Sequence, residues 1–87
     1  MTVEIITPNK ELFAGNASLI QLPGLDGFFE VLENHAPMIA ALKKGKVKLV
    51  SETETLYFEI NGGIIEVLKN KIIVLADWAL QFDVMMK

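Results

Sequence analysis

The chain has 87 residues, 52% of them hydrophobic, with a formal net charge of -3 and no cysteine. A domain of this size buries only roughly 60–65% of its unfolded surface, so so apolar a composition predicts an exposed apolar face of the kind that marks an interface. Lack of cysteine excludes a disulfide framework and thiolate chemistry, a single histidine leaves no ordinary zinc site, and an acidic chain whose basic residues are all lysine carries no nucleic-acid footprint.

Met1 to Thr7 carries Glu4 and alternates like a strand, without the basic and apolar regions of an export signal. Val3 and Ile5 define one face of this strand, and Pro8, Asn9 and Lys10 close it with a turn. Leu12 and Phe13 follow, then a bend or bulge at Gly15 and Asn16, then a strand from Ser18 to Leu22 with Ile20 and Leu22 on one face. Pro23 lacks an amide donor and Gly24 is free to adopt positive φ, so this strand is expected to stop at Leu22.

The stretch from Leu22 to Pro37 interrupts the succession of strands with two glycines, two prolines and the only histidine. Asp26 and Gly27 signal a hairpin that returns the chain through Phe28 to Leu32. Asn34 and His35, just ahead of Ala36 and Pro37, make a second corner. Met38 to Leu42 is compatible with a strand or a helical turn, because periodicity does not decide so short an apolar run.

Lys43, Lys44 and Gly45 read as a turn, and Lys46 to Glu52 as a strand with Val47 and Leu49 inward. A tip at Thr53 and Glu54 leads to a return strand with Leu56, Phe58 and Ile60 on one face, so the two strands are expected to pair. Asn61, Gly62 and Gly63 break the alternation where the chain passes from one sheet to another. Ile64 to Lys69 and Lys71 to Ala76 form a hairpin about Asn70, and Ile72 to Leu75, apolar on both faces, belongs in a central position. Trp78, Leu80, Phe82 and Val84 alternate with polar or small residues and predict a final strand. The whole reads as one all-β domain over residues 1–87, an antiparallel β-sandwich or flattened barrel, with no repeat, linker or membrane-length apolar run.

Leu22, Pro23, Gly24, Asp26, Gly27, Phe29, Val31, Leu32, His35, Ala36, Pro37, Ala41, Leu42, Lys43 and Gly45 together resemble the signature of the epsilon subunit of F-type rotary ATP synthase. Val3 to Thr7 with Phe13 and Gly15, then Asn61, Gly62, Gly63, Glu66 and Val67, then Val74 to Asp77, resemble the rest of that subunit's β-sandwich in order and spacing. The resemblance implies a sandwich of about ten strands and a noncatalytic role in the rotor, without cofactor or metal. It implies binding to the gamma subunit and contact with the c ring, at the cytoplasmic face of a bacterial membrane, coupling ion flow to ATP synthesis.

By motif position the resemblance places Thr7, His35, Met38, Ile39, Ala40, Ala41 and Leu42 towards gamma, and Leu25, Asp26, Gly27 and Phe28 towards the c ring. Glu30, Glu33, Asn34 and Phe28 depart from the residues usual there. The family's two-helix extension, which restrains ATP hydrolysis in some members, is not expected here, since a strand period runs on from Trp78.

Two readings compete. Asp26, Glu30 and Glu33 are close in sequence, as paired catalytic carboxylates would be, but they stand on a turn. A small-ligand-binding sandwich would need a deep apolar cavity, and the rotor subunit a flat apolar face. His35, with no partner nucleophile or second histidine, reads first as a loop residue that satisfies a backbone group, and Lys43, Lys44, Lys46 and Lys48 as a solvated turn and a protected sheet edge.

Overall fold

A computed structural model describes residues 1–82 of the chain. In it the chain forms strands β1 (Thr2–Ile6), β2 (Glu11–Asn16), β3 (Leu19–Gly24), β4 (Gly27–Leu32), β5 (Met38–Val50), β6 (Thr55–Leu68), β7 (Lys71–Ala76) and β8 (Ala79–Phe82). The described residues thus hold eight strands where about ten are expected. The difference arises because β5 and β6 are long strands of 13 and 14 residues that serve both layers.

The hydrogen-bonded order is β2-β1-β7-β6-β5-β3-β4, with β8 on the other flank of β6. β1 and β7 run parallel, and the other pairs are antiparallel. β6 pairs β8 from Tyr57 to Ile60 and β7 from Gly63 to Leu68, so it changes partner at the double glycine. The buried positions shift parity at the same level, from Phe58 and Ile60 to Ile65 and Val67 in β6, and between Leu42 and Val47 in β5. In a strand of period two, a parity shift means that the ribbon has turned a corner. One layer therefore comprises β4, β3, the second half of β5, the first half of β6 and β8. The other comprises the first half of β5, the second half of β6, β7, β1 and β2.

Val3, Ile5, Ile20, Leu22, Val47, Leu49, Phe58, Ile60, Ile65, Ile72 and Val74 are fully buried between the layers. β7 lies between β1 and β6, the central position expected of it. Its outer face nevertheless leaves Leu75 half exposed, so apolar residues on both faces mark a central strand whose outer side is uncovered.

Three expected breaks are absent. β3 continues through Pro23 to Gly24, because the missing amide of Pro23 faces β5 where the register slips between Gln21 and Gly24. Lys43 to Gly45 is not a turn but the corner of β5, and a side chain at Gly45 would lie 2.8 Å from Cβ of Pro23, so glycine admits the proline ring. Gly15 lies in register with Val3 inside β2, and the irregularity falls between Ile5 and Ile6 instead.

The hairpins about Lys69 and Asn70, and from Lys46 to Ile60, form as expected. Lys69 and Asn70 both take positive φ, 51° and 61°, the mirror-image turn that suits the twist of two paired strands. At the central hairpin Gly24 pairs with Gly27, so Leu25 and Asp26 form the tip, one residue earlier than the Asp26 and Gly27 signal places it. Met38 to Leu42 is strand, and β8 supplies the final strand through Phe82, while Val84 lies outside the described residues.

Candidate interaction surface

Alternation sends Ile39 and Ala41 of β5, Ile64 and Leu68 of β6, Ile73 and Leu75 of β7 and Ile6 of β1 to the outside of the second layer. Ala41, Ile64, Leu75 and Ile6 lie opposite one another across four strands and form a continuous apolar row. Ile39, 73% exposed, lies one row away. Glu66 and Glu4 border the strip in that second row. Monomeric soluble domains rarely leave such rows uncovered.

The tip of the β3–β4 hairpin adjoins this face. Gly24, Leu25, Asp26, Gly27, Phe28 and Phe29 line one side of a groove of about 390 Å³, and Met38, Ala40 and Ala41 line the other. Gly27 takes φ +129°, which glycine adopts without strain, and Phe28 on the following strand is 60% exposed.

The structure brings the tip residues Leu25, Asp26, Gly27 and Phe28 together with Met38, Ala40 and Ala41. Within Met38 to Leu42 the residues divide by face: Ile39 and Ala41 point outward, whereas Met38 and Ala40 pack against the core and Leu42 is buried. Thr7 and His35 are not brought together. Thr7 follows Ile6, opposite Leu75, and its amide and hydroxyl close the turn on the Lys10 carbonyl at 2.9 and 3.1 Å. His35 stands at the other end of the face, ahead of Met38, which pairs Val67. Its amide donates to the Leu32 carbonyl at 3.2 Å and Nδ1 donates to the Ala36 carbonyl at 2.7 Å, so its hydrogen bonds serve the corner.

One cluster gave no signal in the sequence, because it joins segments 16 to 36 residues apart. The Met1 amino group donates to the Ala17 carbonyl and to Glu33, and Asn34, at φ 62°, donates its amide to Asn70 Oδ1 at 2.8 Å. The ammonium of Met1 chiefly, and Asn70 as well, hold the Glu33 carboxyl below its ordinary pKa against the opposing effect of desolvation. A carboxyl depressed in the folded state contributes stability above its unfolded pKa of about 4.3 and loses it as the pH falls through the lower folded value. The chain is therefore expected to lose stability on acidification below about pH 4, and Glu33→Gln to flatten part of that acid limb, as read by urea midpoints across pH 2–6.

A depression of about 770 Å³ at the end of the sandwich is open to solvent and mixed in its lining, from Met1 and Phe13 to Ser18, Glu33, Glu52 and Glu54, unlike the enclosed apolar clefts that hold small ligands. Among the described residues no three His, Asp or Glu side chains approach closely enough to hold a metal. Asp26, Glu30 and Glu33 are spread over the tip, middle and far end of the β4 hairpin and do not converge.

The fold and this surface define a class: a small β-sandwich with one apolar face left open. The ATP synthase delta/epsilon chain β-sandwich domain model matches residues 1–82, and the chain belongs to that family. It is 47% identical over 77 residues to an ATP synthase epsilon chain of Chlorobaculum tepidum, covering 87% of this chain and 88% of the relative. Its fold is similar, at TM-score 0.85 and 16% identity, to a chain in a structure of the Euglena gracilis mitochondrial ATP synthase OSCP/F1/c-ring, covering 91% of this chain and 51% of that one. It is likewise similar, at TM-score 0.81 and 18% identity, to a chain in the Tetrahymena thermophila mitochondrial ATP synthase central stalk/c-ring, covering 92% of this chain and 65% of that one.

Proposed function

We propose that the chain is a noncatalytic rotor subunit of an F-type ATP synthase that binds gamma through the outer face of its second layer. In this reading Ile39, Ala41, Ile64 and Leu75 carry the gamma contact, with Met38, Ala40 and Leu42 behind them and Thr7 and His35 at opposite rims. The Leu25 to Phe28 tip, one groove away, meets the c ring, so the two contacts are continuous and torque passes between shaft and ring through one rigid body. The site of action is the cytoplasmic face of a bacterial membrane, held there through the complex.

The observation that carries the reading is the uncovered row Ala41–Ile64–Leu75–Ile6 in a chain of this family. A standard interface takes about 800 Å² from each partner, roughly 15% of this chain's 5493 Å² surface. The groove and the depression at the sandwich end give no comparable support to a ligand-binding role.

The test is Ile64→Lys combined with Leu75→Glu. The two residues are cross-strand neighbours, each about half exposed, so opposite charges face each other in the variant and the fold is retained. The variant is expected to keep its circular dichroism and melting temperature within a few degrees, and to bind purified gamma at least about 100-fold more weakly by calorimetry. Unaltered gamma binding would overturn the proposal.

A further inference from the structure

We propose that the free edge of β4 is a strand-addition site for an extended segment of a partner protein that carries a basic residue opposite Glu30 and apolar residues two places to either side. The inference stands on the edge itself, whichever partner covers the outer face of the second layer.

β4 ends the sheet order and pairs only β3 among the described residues. Gly24 and Gly27 close the hairpin as a hydrogen-bonded pair, and Pro23 turns its nitrogen away from Phe28, towards β5. Alternation then makes Pro23–Phe28, Gln21–Glu30 and Leu19–Leu32 the pairs whose backbone groups point away from each other. The amides and carbonyls of Phe28 and Glu30, and the amide of Leu32, therefore line the open edge, while the Leu32 carbonyl accepts from His35. A row of this kind is a template for another strand.

The side chains on the same residues state what that strand must be. Phe28 and Leu32 are large, apolar and more than half exposed, with Glu30 between them. Glu30 has no ion-pair partner among the described residues. A second copy of this chain pairing over the full strand by a two-fold axis would set Phe28 against Leu32 and Glu30 against Glu30, and like charges directly opposite are destabilising. The edge thus refuses itself and accepts a strand with a cation at the centre. The inner face agrees, because Phe29, Met38 and Ala40 are only partly buried around the groove at this side of the sandwich, and the inward residues of an added strand would cover them.

The probe is the palindromic peptide acetyl-Thr-Leu-Val-Lys-Val-Leu-Thr-amide, which presents lysine opposite Glu30 in either strand direction, with a control that has glutamate for lysine. Titrated into the full, isotope-labelled chain, the lysine peptide is expected to shift and protect the amides of Phe28, Glu30 and Leu32 and to bind about 3- to 10-fold more tightly than the control, a range set by cross-strand charge pairs. Glu30→Lys should reverse that preference. Glu30→Leu should turn a chain monomeric through this edge into a concentration-dependent dimer by sedimentation. No shift at β4, an equal response to both peptides, or wild-type dimerisation through β4 would overturn the assignment.

Discussion

Gly63→Ala is expected to remove on the order of 3 kcal/mol or more of folding stability, read as a fall of roughly 2–3 M in the urea midpoint. Gly63 sits at φ +151° where β6 changes partner from β8 to β7. A Cβ built there would lie 2.2 Å from the Leu75 carbonyl oxygen and 2.9 Å from Cα of Ala76. Both are backbone atoms of the central strand β7, so no rotamer change relieves the clash. Only separation of β6 from β7 would, at the cost of the hydrogen bonds that hold the second layer.

Gly27→Ala is the control, because φ there is +129° but nothing lies within 4 Å of the added atom. It should cost about 1–3 kcal/mol, the backbone strain alone, and less than Gly63→Ala. If the two variants cost the same, close approach is not what fixes Gly63, and the corner of β6 owes its position to something other than this contact.

The corner shows what the sequence discloses. A double glycine at the point where alternation fails announced a passage between layers, and β6 does change partner there. Val47, Leu49, Phe58 and Ile60 were legible as core for the same reason, since a period of two with β-branched and aromatic residues on one face has a single buried solution. Pro23 and Gly45 misled, because each is an ordinary breaker when read locally. Only the three-dimensional register shows that the proline ring needs the bare glycine and that the absent amide falls on a slip in the ladder.

The candidate surface was legible in part. The excess of apolar residues announced an open face, but its row joins β5, β6, β7 and β1, residues separated by as much as 69 positions from Ile6 to Leu75, and no local pattern links them. Family position grouped Thr7 with His35, which the strand register sets at opposite ends. The Glu33, Asn70 and Met1 corner was invisible for a like reason, being made by three segments that meet only when the sandwich closes.

Phe58→Ala is expected to cost about 3–5 kcal/mol, a large fraction of the roughly 4–13 kcal/mol available to a domain of this length. Phe58 is fully buried in the first half of β6, between Val47 of β5 and Gln81 of β8. Its ring meets the edge of Phe13 at 6.3 Å between centroids and 67° between planes. Phe13 belongs to the edge strand β2 in the opposite layer, so this pair crosses the core and ties that edge to the first half of β6. Truncation therefore leaves a cavity and also unfastens the β2 and β8 side of the sandwich. A double-mutant cycle with Phe13→Ala should return a coupling of about 0.5–1.5 kcal/mol. Hydrogen exchange in β2 should rise more than in β3, which is tied to the core by Ile20 and Leu22 instead. Exchange that rises equally in β2 and β3 would mean that the sandwich opens as one unit, with the aromatic pair contributing volume and not a local fastening.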